Sequence, residues 1–150
     1  MGNDELTERE RAAWQISIRM LEALRSRLEQ QLQADSGLSL ADYSVLSVLS
    51  EAPGGRLRLY ELCREVRWEK SRLHHQLTRM AKRDLVDRER RGSRGIEAAI
   101  TAHGFAVIRE AAPGHAGAVR QLFVNPVSPA DLEQFAETAN SILRNLDTGQ

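Results

Sequence analysis

The chain has 150 residues, 41% hydrophobic and 28% charged, the size and composition of one globular domain able to bury about 70% of the surface its unfolded chain exposes. No apolar run is long enough to cross a bilayer, and the opening MGNDELTERERAAW is charged where a secretion signal is apolar, so a cytoplasmic protein with no membrane partner is expected. The formal net charge of zero is a cancellation: 13 of the 21 basic residues lie between Arg56 and Gly95 against six acids, so a middle of +7 stands between flanks that sum to −7. A basic centre between acidic flanks is the footprint of a nucleic-acid surface on a separate scaffold, although a diffuse solvated face gives the same total.

From about Thr7 to Ala34, Trp14, Ile18, Leu21, Leu28 and Leu32 recur at helical spacing, with Met20 and Leu24 widening the stripe, which predicts one long amphipathic helix ended by Gly37. Ser39 with Asp42 three residues later is a start signal for a second helix carrying Tyr43, Leu46 and Leu49 inward, and Pro53-Gly54-Gly55 stops it. Arg56 to Leu59 alternates like a short strand, and Leu62 and Val66 then mark a short third helix closing near Trp68. In the next helix, Glu69 to Arg83, Leu73, Leu77 and Met80 share one face. Ser71, Arg72, His75, Gln76, Arg79 and Lys82 are placed on the remainder of its circumference.

After Asp84 the runs LVDRERR and IEAAIT, joined by Gly92-Ser93-Arg94-Gly95, read as a hairpin with a basic tip. Thr101 caps a fifth helix running toward Val124, with a kink expected at Pro113-Gly114. Ser128-Pro129-Ala130-Asp131 opens a last helix whose Leu132, Phe135, Ala139, Ile142 and Leu146 share a face. The expected class is therefore mainly α with a small β-wing (α+β). Two helices ending in an exposed basic helix, followed by a basic-tipped hairpin, are the layout of a winged helix-turn-helix.

Here the sequence resembles the MarR family of bacterial transcription regulators over nearly its whole length. SLADYSVLSVLSEAPGGRLRLYEL and WEKSRLHHQLTRMAKRDLV look like that family's second to fourth helices, and IEAAITAHG looks like its junction of wing strand and helix, usually L-T-x-x-G. The resemblance implies a single domain over 1–150 with dimerisation helices at 7–34 and 101–147 and a winged helix-turn-helix DNA-binding lobe at 39–100. It also implies a homodimer on a pseudo-palindromic operator, often released by a small ligand, with no cofactor, and a repressor as the commonest mode. Three positions depart from the family pattern: Asp84 stands where a glycine is usual at the helix end, the wing lacks the aspartate usual before its arginine, and Tyr60 replaces a small hydroxyl residue.

For double-stranded DNA, Arg72 and Arg79 suit guanine or phosphate, Gln76 suits adenine, Ser71 and His75 are adaptable partners, and Lys82 suits phosphate. Arg94 is expected in a minor groove with Arg90 and Arg91 on phosphates, while Arg88 either joins them or pairs with a neighbouring acid or a helix to hold the base of the wing. Trp14, Ile18, Tyr43 and His115 are the expected lining of an effector pocket where the family keeps one, though core packing explains the first three equally well. No P-loop, nucleophile elbow, H-E-x-x-H helix or dinucleotide fingerprint is present, so no enzyme is expected. Two alternatives stay open. One is a protein–protein module on the same fold; the other is a regulator answering to redox through Cys63 or to a metal, although His74 and His75 splay about 100° apart on a helix.

Overall fold

The structure, a computed structural model, describes residues 4–149, with Arg94 described by its backbone alone. Among the described residues the α-helices and strands follow in order: α1 (Glu8–Ser36), α2 (Leu40–Glu51), β1 (Arg56–Arg58), α3 (Leu59–Val66), α4 (Lys70–Lys82), β2 (Val86–Arg90), β3 (Ile96–Ile100), α5 (Ala102–Val119) and α6 (Pro129–Thr148). They form a mostly helical protein with one small antiparallel sheet of order β1-β3-β2. Two compact units divide the chain, residues 1–115 and 116–150.

The first unit begins with a capping box. Thr7 Oγ1 accepts the amide of Glu10 and the Glu10 carboxylate accepts that of Thr7, which satisfies two amides that the first turn of α1 leaves without partners. Gly37, left-handed at φ 69°, closes the helix. Along α1 only Leu32 is buried, while Trp14, Ile16, Ile18 and Leu21 are exposed. Ser39 and Asp42 cap α2 reciprocally, each bond 2.9 Å long, and the Glu29 carboxylate accepts the next amide, Leu40, at 2.7 Å.

The core is built from α2, α3, α4 and the sheet: Leu38, Val45, Leu46, Leu49, Leu59, Leu62, Leu73, Leu77, Met80, Leu85, Val86 and Ala98, closed by Ile108 and Ala111 of α5. β3 lies between the other strands, pairing Leu57 with Ala98 on one side and Arg88 with Ala98 on the other. Two glycines permit this packing. A Cβ on Gly55 would stand 2.8 Å from Ile100 Cγ2, and one on Gly104 would collide with the carbonyl of Leu85, so the first turn of α5 presses directly on the chain leaving α4.

Asp84 follows α4 in the left-handed region, φ 57°, and the amide of Leu85 reaches back to the carbonyl of Met80 at 3.0 Å. The helix thus ends as a glycine would end it, with an aspartate in the strained position. As expected from Thr101 toward Val124, the helix runs through Pro113 to Val119, and its regularity changes at a π-helical turn over Arg120–Val124. Pro113 is exposed, so water can meet the Arg109 carbonyl that loses its helical partner.

In the second unit Ser128 Oγ accepts the amide of Asp131 at 3.1 Å with Pro129 in the first helical position. Phe123 meets Phe135 edge to face, ring centroids 5.6 Å apart. No described residue of this unit is buried, and Phe135, Ile142, Leu143 and Leu146 are exposed along α6.

Candidate nucleic-acid interface

α3 is amphipathic, with Leu59 and Leu62 buried, and it stops where Arg67 turns left-handed at φ 57°. The turn delivers the chain into α4 within a few residues, the tight helix-turn-helix spacing. Leu73, Leu77 and Met80 bury one stripe of α4. Ser71, Arg72, His74, His75, Arg79 and Lys82 are exposed, and the basic residues of the last turn, Arg79 and Lys82, face the negative end of the helix dipole. The Arg72 guanidinium stacks over Trp68, 4.2 Å from the ring centroid, which holds a cation at the first turn by its flat face.

Gln76 requires a correction. Expected on the open face, it is only 5% exposed. Its Nε2 donates to Asp42 Oδ1 at 2.6 Å, and its Oε1 accepts from Arg79 Nη2 at 2.7 Å. Asp42, itself 3% exposed, also takes the Ser39 amide and Arg83 Nη1, the latter at 2.6 Å, while Arg83 Nη2 reaches the Gly37 carbonyl at 3.0 Å. A buried amide with its nitrogen and its oxygen both paired serves the fold from inside the helix rather than from its open face. The signal was present in the spacing: Gln76 lies three residues after Leu73 and four before Met80, on the apolar stripe itself. Asp42, legible in the sequence only as a cap, is the buried partner that sequence reasoning missed.

The hairpin of β2 and β3 is the wing. Arg88 donates to Thr78 Oγ1 of α4 at 3.0 Å, so it holds the base of the wing rather than reaching outward. Glu89 and Glu97 are paired across the strands. Arg91 lies against both, its Nε 3.3 Å from Glu97 and its Nη2 3.8 Å from Glu89, which offsets the repulsion of two facing carboxylates. Arg56 Nη1 approaches Glu97 from β1 at 3.8 Å. Arg90 is exposed, and the tip turns over Gly92–Arg94, closed by the Arg91 amide on the Gly95 carbonyl at 3.1 Å. The expectation for Arg94 concerns a side chain outside the described part.

Of the four residues expected around an effector, the structure brings two together. Tyr43 and His115 stack, ring centroids 4.2 Å apart. Burial lifts the Tyr43 phenol, with a smaller push from Glu51, and burial also lowers the His115 imidazole. Trp14 and Ile18, however, are exposed on α1, 60% and 39% respectively, because within one chain nothing covers that stretch of helix. Tyr43 lines a cleft of about 220 Å³ with Ser47, Ser50, Glu51, Phe105 and Arg109. Cys63 is a free, half-buried thiol, and the described residues contain no group of three or more His, Cys, Asp or Glu placed to hold a metal.

A recognition-type helix after a tight turn, followed by the β2–β3 hairpin of a three-stranded sheet, defines a winged helix. Comparison with known proteins narrows the class. A family model described as the MarR family matches residues 36–95. The chain is 37% identical to AbsC, a MarR family transcriptional regulator from Streptomyces coelicolor, with 99% of this chain and 100% of that chain covered and a TM-score of 0.91. It is 35% identical to Sco3205 of the same organism, solved in complex with DNA, covering 95% and 91% at a TM-score of 0.90. A third structure, Rv2887 of Mycobacterium tuberculosis in complex with p-aminosalicylic acid, shares the fold at 23% identity, 85% and 95% coverage and a TM-score of 0.62. No curated protein matches. The chain belongs to the MarR family of transcriptional regulators.

Proposed function

We propose that the chain is a homodimeric repressor that binds a pseudo-palindromic operator in double-stranded DNA. The observation that carries this reading is the exposed row Ser71, Arg72, His75, Arg79 and Lys82 on α4, next to a basic hairpin in the segment that holds the +7 charge. α4 enters the major groove, Arg90 and Arg91 meet flanking phosphates, and Arg94 reaches the adjacent minor groove. Sco3205, solved on DNA, supports the assignment.

Dimerisation rests on α1, α5 and α6, residues 7–34 and 101–147, around a DNA-binding lobe at 39–100. Trp14, Ile16, Ile18 and Leu21 on α1 and Phe135, Ile142 and Leu146 on α6 are exposed apolar side chains of the kind a partner subunit covers. Two recognition helices on a two-fold axis then meet half-sites about one DNA turn apart, and a promoter under that footprint is closed to polymerase. The regulator acts in the cytoplasm; no described helix is long and apolar enough to cross a membrane. Release by a small effector is part of the proposal, supported by the Rv2887 complex and the cleft beside Tyr43.

Selection of bound duplexes from a random pool tests the reading. A pseudo-palindromic consensus, retained by a species of dimer mass and lost on addition of one compound from a metabolite screen, is expected. Equal retention of all sequences, or of none, overturns it.

A further inference from the structure

Arg79 is the exposed cation of α4 whose aim is set from inside the protein. We infer that Gln76 is a positioning residue for Arg79, and that the chain Asp42–Gln76–Arg79 determines a preference for guanine at one position of each half-site. The inference rests on the DNA-binding reading above and assigns Gln76 a role other than touching a base.

The chemistry of the contacts fixes the direction of the chain. An ionised carboxylate only accepts, so the NH2 of Gln76 must face Asp42 Oδ1, 2.6 Å away, and its carbonyl oxygen is left to face Arg79, where it accepts from Nη2 at 2.7 Å. Asp42 is not free to turn, because its other oxygen holds the Ser39 amide at 2.9 Å and Arg83 at 2.6 Å. Both members of the buried pair are almost wholly removed from water, where such a charge-assisted bond is strong. One Nη of Arg79 is thereby tethered to the body of the protein, while the side chain as a whole stays exposed.

A guanidinium only donates, and it donates along two parallel N–H directions. The major-groove edge that offers two acceptors side by side is guanine, through O6 and N7. An arginine already held in one orientation loses less freedom on making that pair than an untethered one. Gln76 thus acts on sequence choice through Arg79.

Two measurements on the full-length protein test this. In the free protein, nitrogen-detected NMR should show the Arg79 Nη groups resolved by restricted rotation, and Gln76→Met, which keeps the side-chain volume, should average them. An already averaged signal in the wild type overturns the tether, whatever DNA does. In selection from a random duplex pool, Arg79→Ala should lose guanine preference at one position per half-site by on the order of tenfold to a hundredfold. Gln76→Met should weaken preference at that same position, and the double variant should be no worse there than Arg79→Ala.

Loss at a different position would make Gln76 itself a reader, and uniform loss at all positions would reduce it to a structural residue; either result overturns the inference. If Gln76→Met does not fold, the wild-type NMR signal and Arg79→Ala, at an exposed position, still decide. Resolved Nη signals in a protein that retains no duplex would instead refute the DNA reading and leave the tether standing.

Discussion

Thr101 donates its hydroxyl to the main-chain carbonyl of Asp84 and accepts with the same oxygen from the amide of Gly104 at 2.9 Å. One hydroxyl therefore caps α5 and pins the left-handed residue that ends α4, and the lack of a Cβ on Gly104 lets the two come this close. The junction Ile100-Thr101-Ala102-His103-Gly104 is a clamp between the end of α4 and the start of α5.

Thr101→Val keeps the shape and removes both bonds, so it should destabilise by about 1–2 kcal/mol. Asp84→Gly relieves the left-handed backbone and should stabilise by about 0.5–1 kcal/mol. Urea denaturation of both variants checks the pair; a stabilised Thr101→Val would mean that the clamp carries no free energy.

The clamp also marks what the sequence made legible. Ser39 with Asp42, Thr101, and Ser128 with Pro129 are local signals, each decided within a few residues, and each capping expectation is met in the structure. Spacing puts Gln76 on the apolar stripe, but what a polar residue does there is not legible without its partner, and that partner, Asp42, lies 34 residues away in the chain. The contacts of Arg91 depend on strand register, which sets Glu89 against Glu97 and which composition does not specify. By sequence Trp14 and Ile18 suit a pocket wall or the core equally, and their exposure shows a face that one chain by itself does not cover.

Phe135, Ile142 and Leu146 recur along α6 at helical spacing and are exposed. If a second copy covers them, returning each aliphatic side chain to water costs about 1.5–3 kcal/mol per protomer. Ile142→Asp with Leu146→Asp should then raise the dimer dissociation constant by at least about a hundredfold, or leave an aggregating chain. Sedimentation equilibrium on the purified variant is the check, and an unchanged dimer would place the interface elsewhere.

His115 supplies a pH test. Its Nδ1 is buried without a hydrogen-bond partner, and burial holds its pKa below the ordinary 6.5. The unfolded chain binds the proton near pH 6.5 and the folded chain only at lower pH, so the stability linked to this group is complete above 6.5 and is lost as pH falls through 6.5 toward the folded value. His115→Phe retains a ring against Tyr43 and removes the linkage. Relative to that variant, the wild type should lose urea midpoint between pH 7.5 and 5.5; parallel curves would show that the imidazole titrates alike in both states.

The wing makes the most specific prediction about DNA. Arg91 is proposed to meet a phosphate, yet in the free protein it lies between Glu97, 3.3 Å away, and Glu89, at 3.8 Å, with Arg56 also 3.8 Å from Glu97. A phosphate therefore competes with a carboxylate already in place, and the apparent charge the wing offers to DNA is reduced. Glu97→Gln keeps the shape of the side chain and removes its charge, freeing Arg91 and Arg56 together. Operator affinity should rise by roughly three- to tenfold at low salt, and the slope of log K against log salt should steepen by about one per half-site, or about two across a symmetric dimer, if one further phosphate is neutralised in each. Glu133→Gln, at an exposed acid of α6, makes the same change in net charge and separates a local effect from a general one. Arg91→Ala in the Glu97→Gln background should cancel most of the gain. Equal gains from Glu97→Gln and Glu133→Gln would assign the effect to overall charge, and an unchanged slope with Glu97→Gln would take Arg91 off the phosphates and leave it a strut between the strands of the wing.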